Sequence, residues 1–168
     1  IGALAIVIGI GAAAFFFGGY YNVAGTTADP APVTWALTRV RVASINRHAN
    51  DSPPASFGDA AMVEAGAKAY AAFGCATCHG APGVMWLKLS EGMHPYPPDL
   101  KKVAADLSPA QLFWIVKNGI NMTGMPSFAE AGATDNEIWS IAAFVKKLPS
   151  VSDADYKSWT AGVEPKQH

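Results

Sequence analysis

Residues 75–79, which read Cys-Ala-Thr-Cys-His, constrain this 168-residue chain more than any other segment. Both cysteines of the chain lie here, three positions apart, and a histidine follows the second one directly. The pattern C-x-x-C-H is that of c-type haem attachment. Cys75 and Cys78 would add to the two vinyl groups of one porphyrin, and His79 would then lie under the iron as a neutral imidazole ligand. The segment therefore predicts one covalently attached haem c.

Three other uses of two neighbouring cysteines fit the sequence less well. A thioredoxin-like dithiol belongs to a β-α-β unit, whereas the flanks of residues 75–79 have a helical pattern and a Gly/Pro-rich loop. A structural zinc site needs a second ligand pair, and the sequence has no other C-x-x-C and no H-x-x-x-H. A disulfide between these cysteines would be strained and would close a very short loop. Haem attachment is the interpretation that remains.

The N-terminal segment, residues 1–21, is apolar, and the first charged side chain of the chain is Asp29. About 20 apolar residues are enough to span a bilayer as a helix. No A-x-A cleavage site of a secretory signal peptide follows the segment. Small residues at four-residue spacing give it a face suited to packing against another membrane helix. We therefore predict a transmembrane helix over residues 1–21.

The rest of the chain is interpreted as a linker, one domain and a tail. The linker is residues 22–56, in which a basic helix over residues 33–49, capped by Thr34, holds all three arginines of the chain. The haem domain covers residues 57–159 and the tail residues 160–168. A net charge of −1 gives no indication of nucleic-acid binding.

Four helices are predicted within the haem domain, and no segment has the alternating pattern of a strand. Their N-terminal caps are Asp59, Ser108, Thr134 and Ser152. The second and third begin with the capping-box patterns S-P-A-Q and T-D-N-E. A long irregular stretch rich in proline separates the first helix and the haem motif from the second helix. Such a stretch is expected in a small domain when a non-peptide group fills part of the core.

A second iron ligand decides whether the haem transfers electrons or reacts with small molecules, because a closed sixth position favours electron transfer. The candidates are Met85, Met93, His94, Met122 and Met125. Met125 is favoured because it lies in a loop between two predicted helices and Pro126 follows it directly. Its thioether is a soft ligand that favours reduced iron. Ligation by Met122, a bis-histidine iron and an open site stay as alternatives.

The order of helix, C-x-x-C-H motif, irregular loop, helix, Met-Pro loop and helix resembles a monohaem class I cytochrome c with a membrane anchor. The resemblance covers roughly residues 59–148. It implies an all-α haem domain preceded by one N-terminal transmembrane helix. Gly66 and Tyr70 are similar to the face by which the first helix of that family crosses the last one, here near Trp139 or Phe144.

The resemblance also implies a proline-rich loop whose carbonyl accepts a hydrogen bond from the ring of the proximal histidine, His79. Pro97 and Pro95 are the expected counterparts, with Pro82 as a third possibility. Such a bond fixes the ring and tunes its basicity. Phe128 is expected at the haem edge with Met122, on the face where redox partners dock.

The function implied by the resemblance is one-electron transfer rather than catalysis. Its implied location is the bacterial inner membrane, crossed once, with the haem domain in the periplasm. The transmembrane helix would pack against integral membrane subunits of a respiratory complex, either a bc-type complex or a terminal oxidase. Redox proteins would be the electron donor and acceptor, and a ring of lysines would attract them. The lysines expected in this ring are Lys88, Lys101, Lys102 and Lys117.

Two other functions stay open at this point. The chain is also compatible with the cytochrome c subunit of a membrane-bound dehydrogenase, because such a subunit needs the same haem domain and anchor. A haem peroxidase or gas sensor is the alternative of another class, and it requires that Met125 not bind the iron.

Overall fold

The structure, a computed structural model, describes residues 2–166. Every secondary-structure element assigned within this range is helical, and one isolated β-bridge joins Ala81 to Val84. The helices are α1 (Gly2–Phe17), α2 (Ala31–His48), α3 (Ala60–Ala72), α4 (Ala76–His79), α5 (Leu100–Val103), α6 (Pro109–Asn118), α7 (Asp135–Lys147) and α8 (Asp153–Trp159). Two 3₁₀ turns, Lys88–Gly92 and Leu148–Ser150, complete the set. The prediction of an all-α fold is confirmed.

The first helix, α1, is shorter than the transmembrane helix predicted over residues 1–21. It has 16 residues, and all of them are exposed. The chain leaves the helix at Gly18 and Gly19, where Gly19 has a φ of +68°. No helix within residues 2–166 is long and apolar enough to cross a membrane. The predicted transmembrane helix is therefore unsupported, because the apolar run is interrupted by a pair of glycines that end helices readily.

Two helices of the haem domain begin at the predicted capping boxes. In α6 the Ser108 hydroxyl accepts the amide of Gln111 at 3.2 Å, and the Gln111 side chain accepts the amide of Ser108 at 2.7 Å. Thr134 and Glu137 form the same reciprocal pair at the start of α7, at 3.3 Å and 2.9 Å. These bonds satisfy amide groups that the first turn of a helix leaves unpaired. The two starting points are therefore set by local sequence.

The arginine-bearing helix α2 lies against α6. Ile45 is buried at this contact, the Gln111 side-chain amide donates to the Asn46 side-chain oxygen at 2.7 Å, and the His48 ring stacks on Trp114. The helix begins at Ala31, with Pro30 as its N-cap, rather than at the predicted cap Thr34. Pro32 lies in the first turn and suits it, because its fixed φ matches a helix and the first amides lack intrahelical partners.

The centre of the fold is the crossing of α3 and α7, which form the most extensive helix–helix contact within residues 2–166. A β-carbon placed on Gly66 of α3 would overlap the backbone carbonyl of Ser140 in α7. One turn later the Tyr70 ring packs on Phe144, with ring centroids 5.2 Å apart. Every residue of α7 from Ile138 to Val145 is buried. The predicted contact of Gly66 and Tyr70 with the last long helix is thus confirmed.

Substitution Gly66→Ala should lower the free energy of unfolding by about 1–3 kcal/mol, the usual cost of overpacking a core. This direction is informative, because glycine-to-alanine in a helix interior otherwise stabilises by about 1 kcal/mol. Urea unfolding followed by helical circular dichroism measures the change. Gly92→Ala is the matched control, since a β-carbon there meets nothing within 4 Å. Equal stabilities of the two variants would contradict the close crossing.

Candidate haem site

The segment of residues 75–79 forms a single helical turn at the end of α3. Cys75 has helical backbone angles (φ −58°, ψ −34°), and α4 continues from it to His79. Residues at positions i, i+3 and i+4 of a helix share one face. The turn therefore brings Cys75, Cys78 and His79 to the same side. Gly80, with a φ of +68°, ends the turn.

The two cysteines are free thiols in different surroundings. Cys75 is buried in the hydrophobic core, and this burial raises the pKa of its thiol to about 12. Cys78 is half-buried. Neither sulfur is in a disulfide, so both remain available for the two thioether links of one haem c.

The His79 ring is a neutral imidazole whose Nδ1 takes part in a hydrogen bond to the backbone. Its Nδ1–H donates to the backbone carbonyl of Pro98 at 2.9 Å. Burial lowers the pKa of the ring, and the bond to Pro98 opposes this effect in part. Because Nδ1 carries the proton, the lone pair of Nε2 is free to bind iron. This tautomer is the one that a proximal haem ligand requires.

The carbonyl acceptor is Pro98, and the prediction of Pro97, Pro95 or Pro82 for this bond was wrong. The choice depends on which carbonyl of an irregular loop points at the ring, and residue types alone do not encode this. Helix α5 fixes the loop directly after Pro98, since the Asp99 carboxylate accepts the amide of Lys101 at 3.0 Å.

The C-terminal end of α5 is bound to α7 by hydrogen bonds. The Lys146 ammonium donates to the carbonyls of Ala104, Ala105 and Leu107, at 2.9, 3.3 and 2.9 Å. A charged donor shared among three carbonyls gives stronger bonds than a neutral one. Pro98, the hydrogen-bond partner of the His79 ring, is thereby connected through α5 to α7.

Met125 lies in a loop closed by its own backbone. The Met125 carbonyl accepts the amide of Ile120 at 3.1 Å. The Thr123 hydroxyl donates to the Ile120 carbonyl at 2.7 Å and accepts the amide of Met125 at 3.1 Å. The Met125 side chain is half-buried against the hydrophobic core. Sequence reasoning did not identify Thr123, although a hydroxyl residue between two loop glycines is a typical turn signal.

Gly119 supports this loop from the end of α6. It has a φ of +68°, and a β-carbon on it would lie 2.7 Å from the Met125 carbonyl oxygen and 2.5 Å from the Pro126 carbonyl carbon. The amide of Phe128 then donates to the Val116 carbonyl at 3.1 Å. The loop is therefore packed directly against the backbone of α6.

Met122 and Phe128 occupy different surroundings. Met122 is 74% exposed, whereas Phe128 is 7% exposed and packs edge-on against Phe73 at 5.7 Å. Placing Phe128 on an exposed docking face was wrong, because its ring lies inside the core. The contrast in burial favours Met125 over Met122 as an iron ligand. Ligation by Met125 and a haem contact of Phe128 stay predictions.

The expected lysine ring is reduced by ion pairing. Lys117 pairs with Asp135 at 2.8 Å and lies over the Phe113 ring, and Lys102 pairs with Asp99 at 3.3 Å. A charge that is neutralised locally attracts a partner less. Lys88 and Lys101 are exposed near the haem motif loop and the start of α5.

Two free thiols, an imidazole in the required tautomer and a half-buried thioether fit a covalently bound haem c. A family model described as "Cytochrome C oxidase, cbb3-type, subunit III" matches residues 61–145, which are half of the chain. No curated protein and no solved structure matches the chain. The match runs from the first turn of α3 to the last turns of α7. A cytochrome c domain of this kind carries haem c and transfers electrons, and it is not itself an enzyme.

If Met125 binds the iron as predicted, substitution Gly119→Ala should displace the Met125 loop and so speed carbon monoxide binding by the reduced holoprotein. About 1.4 kcal/mol of strain in the loop would correspond to a tenfold change in its opening equilibrium. Stopped-flow spectroscopy measures the binding rate.

Gly132→Ala is the matched control for this measurement. Gly132 also has a positive φ, +83°, but a β-carbon there meets nothing within 4 Å. The control variant carries the same backbone strain without pressing on the loop. If both variants bind carbon monoxide at the rate of the unaltered protein, Gly119 does not hold the loop.

Proposed function

Because the chain belongs to the family of cbb3-type cytochrome c oxidase subunit III, we propose that it relays single electrons as a subunit of a membrane-bound terminal oxidase. The observation that carries the proposal is the geometry of His79, whose ring is fixed by the Pro98 carbonyl within a domain of this family. When bound, haem c accepts and donates one electron at its iron.

In this proposal each site residue has a separate task. Cys75 and Cys78 attach the porphyrin, so that it is not lost between turnovers. His79 binds the iron through Nε2, and Met125 binds it through its sulfur. A thioether ligand raises the reduction potential because it stabilises reduced iron. Both ligands belong to segments pinned by backbone hydrogen bonds, so they move little when the charge of the iron changes.

The surface that faces redox partners is proposed to include the loop directly after the haem motif. The amide of Leu87 donates to the Thr77 carbonyl at 2.8 Å, so this loop lies beside the motif. Met85 and Leu89 are 80% and 78% exposed, and the exposed Lys88 lies between Leu87 and Leu89. A small apolar surface with a cationic residue suits a transient redox encounter, which buries little area.

The assembly partner is proposed to contact α1. This helix is apolar on every side and exposed along its whole length. A helix of that kind is normally buried in a larger assembly. We propose that it packs against integral membrane subunits of the oxidase at the bacterial inner membrane, with the haem domain in the periplasm.

Purification from native membranes in mild detergent tests the assignment to a complex. An oxygen-reducing core that co-purifies at fixed stoichiometry, identified by mass spectrometry, would support the proposal. A variant lacking residues 1–28 should keep its haem spectrum, because the contacts of α2 with α6 remain. It should lose the oxygen-reducing core, because it lacks α1. Co-purification with a dehydrogenase, or emergence of the chain alone with its haem, would contradict the proposal.

Substitution Met125→Ala should leave the haem attached, lower the reduction potential and allow rapid carbon monoxide binding to the reduced protein. The reason is that the sixth position loses its soft ligand and opens. Potentiometric titration and stopped-flow spectroscopy measure the two effects.

Met122→Ala is the control for this prediction, since Met122 is largely exposed, and it should change neither quantity. The reverse pattern would identify Met122 as the ligand. Rapid carbon monoxide binding by the unaltered protein would instead indicate the open site of a peroxidase or sensor.

A further inference from the structure

Tyr70 contacts both ends of the haem-attachment segment. Its backbone carbonyl accepts the amide of Cys75 at 3.0 Å. Its phenol hydroxyl donates to the carbonyl of Gly80 at 2.7 Å, in a buried hydrogen bond. One residue in the last turn of α3 therefore binds the chain immediately before the first thioether position and immediately after the proximal histidine.

The Tyr70 side chain is itself fixed by the core. It is 1% exposed, and its ring packs on Phe144 of α7. Gly66, one turn earlier on α3, allows the two helices to approach closely enough for this contact. The hydroxyl thus extends from the most rigid part of the domain to the end of the haem motif.

We propose that Tyr70 is a positioning residue that closes residues 75–80 into one turn, and so directs both thiols and the His79 ring towards the same haem. Its carbonyl fixes the start of the turn, and its hydroxyl fixes the end. The inference requires the covalently bound haem, and it does not depend on the proposed oxidase or on Met125.

The hydroxyl contributes more than the ring alone would. Gly80 is buried, so its carbonyl would lose a hydrogen-bond partner if the hydroxyl were removed, and an unpaired buried acceptor is destabilising. Burial raises the pKa of Tyr70, which keeps the phenol protonated as a donor. Covalent attachment needs two thiols and one imidazole aligned at once, and a frayed end of the turn would misalign the last of them.

Substitution Tyr70→Phe tests the role of the hydroxyl, because it keeps the ring on Phe144 and removes only the donor. The covalently haem-bearing fraction of the purified chain should fall, because one lost hydrogen bond lowers the equilibrium constant for the aligned turn roughly three- to tenfold. Intact mass measurement gives this fraction. The electron paramagnetic resonance spectrum of the ferric holoprotein should also broaden, since it reports the orientation of the axial imidazole.

Tyr156→Phe is the matched control. Tyr156 in α8 is also buried and stacks on the same Phe144 ring at 5.7 Å. Among the hydrogen bonds of residues 2–166, none joins its hydroxyl to the haem motif, and its interaction with the Cys75 thiol is electrostatic only. This variant should keep the haem content and the resonance spectrum of the unaltered protein. If the Tyr70 and Tyr156 variants give the same haem content and spectrum, the proposal is overturned.

A second measurement covers the case in which the Tyr70 variant does not accumulate. In the unaltered holoprotein, the Cys75 amide should exchange with deuterium far more slowly than the amides of exposed turns. Slow exchange would support the hydrogen bond from the Cys75 amide to the Tyr70 carbonyl, which fixes the start of the turn. Exchange as fast as that of an exposed turn would overturn it.

Discussion

The crossing of α3 and α7 is the contact on which the haem site depends. The absence of a side chain at Gly66 lets the two backbones approach, and the two segments that position His79 each connect to one of these helices. The turn with Cys75 and His79 follows α3 after only Phe73 and Gly74. The loop with Pro98 is tied through α5 to Lys146 of α7. A change in the distance between the two helices would therefore reach the proximal ligand from both sides.

Local sequence predicted those parts of the fold whose causes are local. The haem motif and the capping boxes at Ser108 and Thr134 need only a few adjacent residues, and the structure has the two boxes where they were expected. The helix predicted over residues 1–21 ends at Phe17, because Gly18 and Gly19 follow although the sequence stays apolar to residue 21. Hydrophobicity measures the preference for an apolar environment, and it does not by itself maintain a helix.

The candidate site was predictable in its residue types and less so in its backbone contacts. His79 and the Met125 loop follow from ligand chemistry and loop position. The acceptor for the His79 ring is a carbonyl, at Pro98, and every residue of an irregular loop carries one. The support of the Met125 loop by Gly119 also arises from backbone geometry. A resemblance to a family can indicate that such contacts exist, but the path of this particular loop determines which residue makes them.

The contacts of α2 with α6 limit how far the haem domain can lie from α1. Ile45, Asn46 and His48 bind this helix to the domain, so the residues between the end of α1 and the start of α2 are the remaining tether. Thirteen residues span at most about 45 Å when fully extended. If α1 is bound in the proposed oxidase, a carrier on so short a tether meets a neighbouring acceptor at a high effective concentration. Its electron-transfer rate to that neighbour would then be independent of how much of the protein the cell makes.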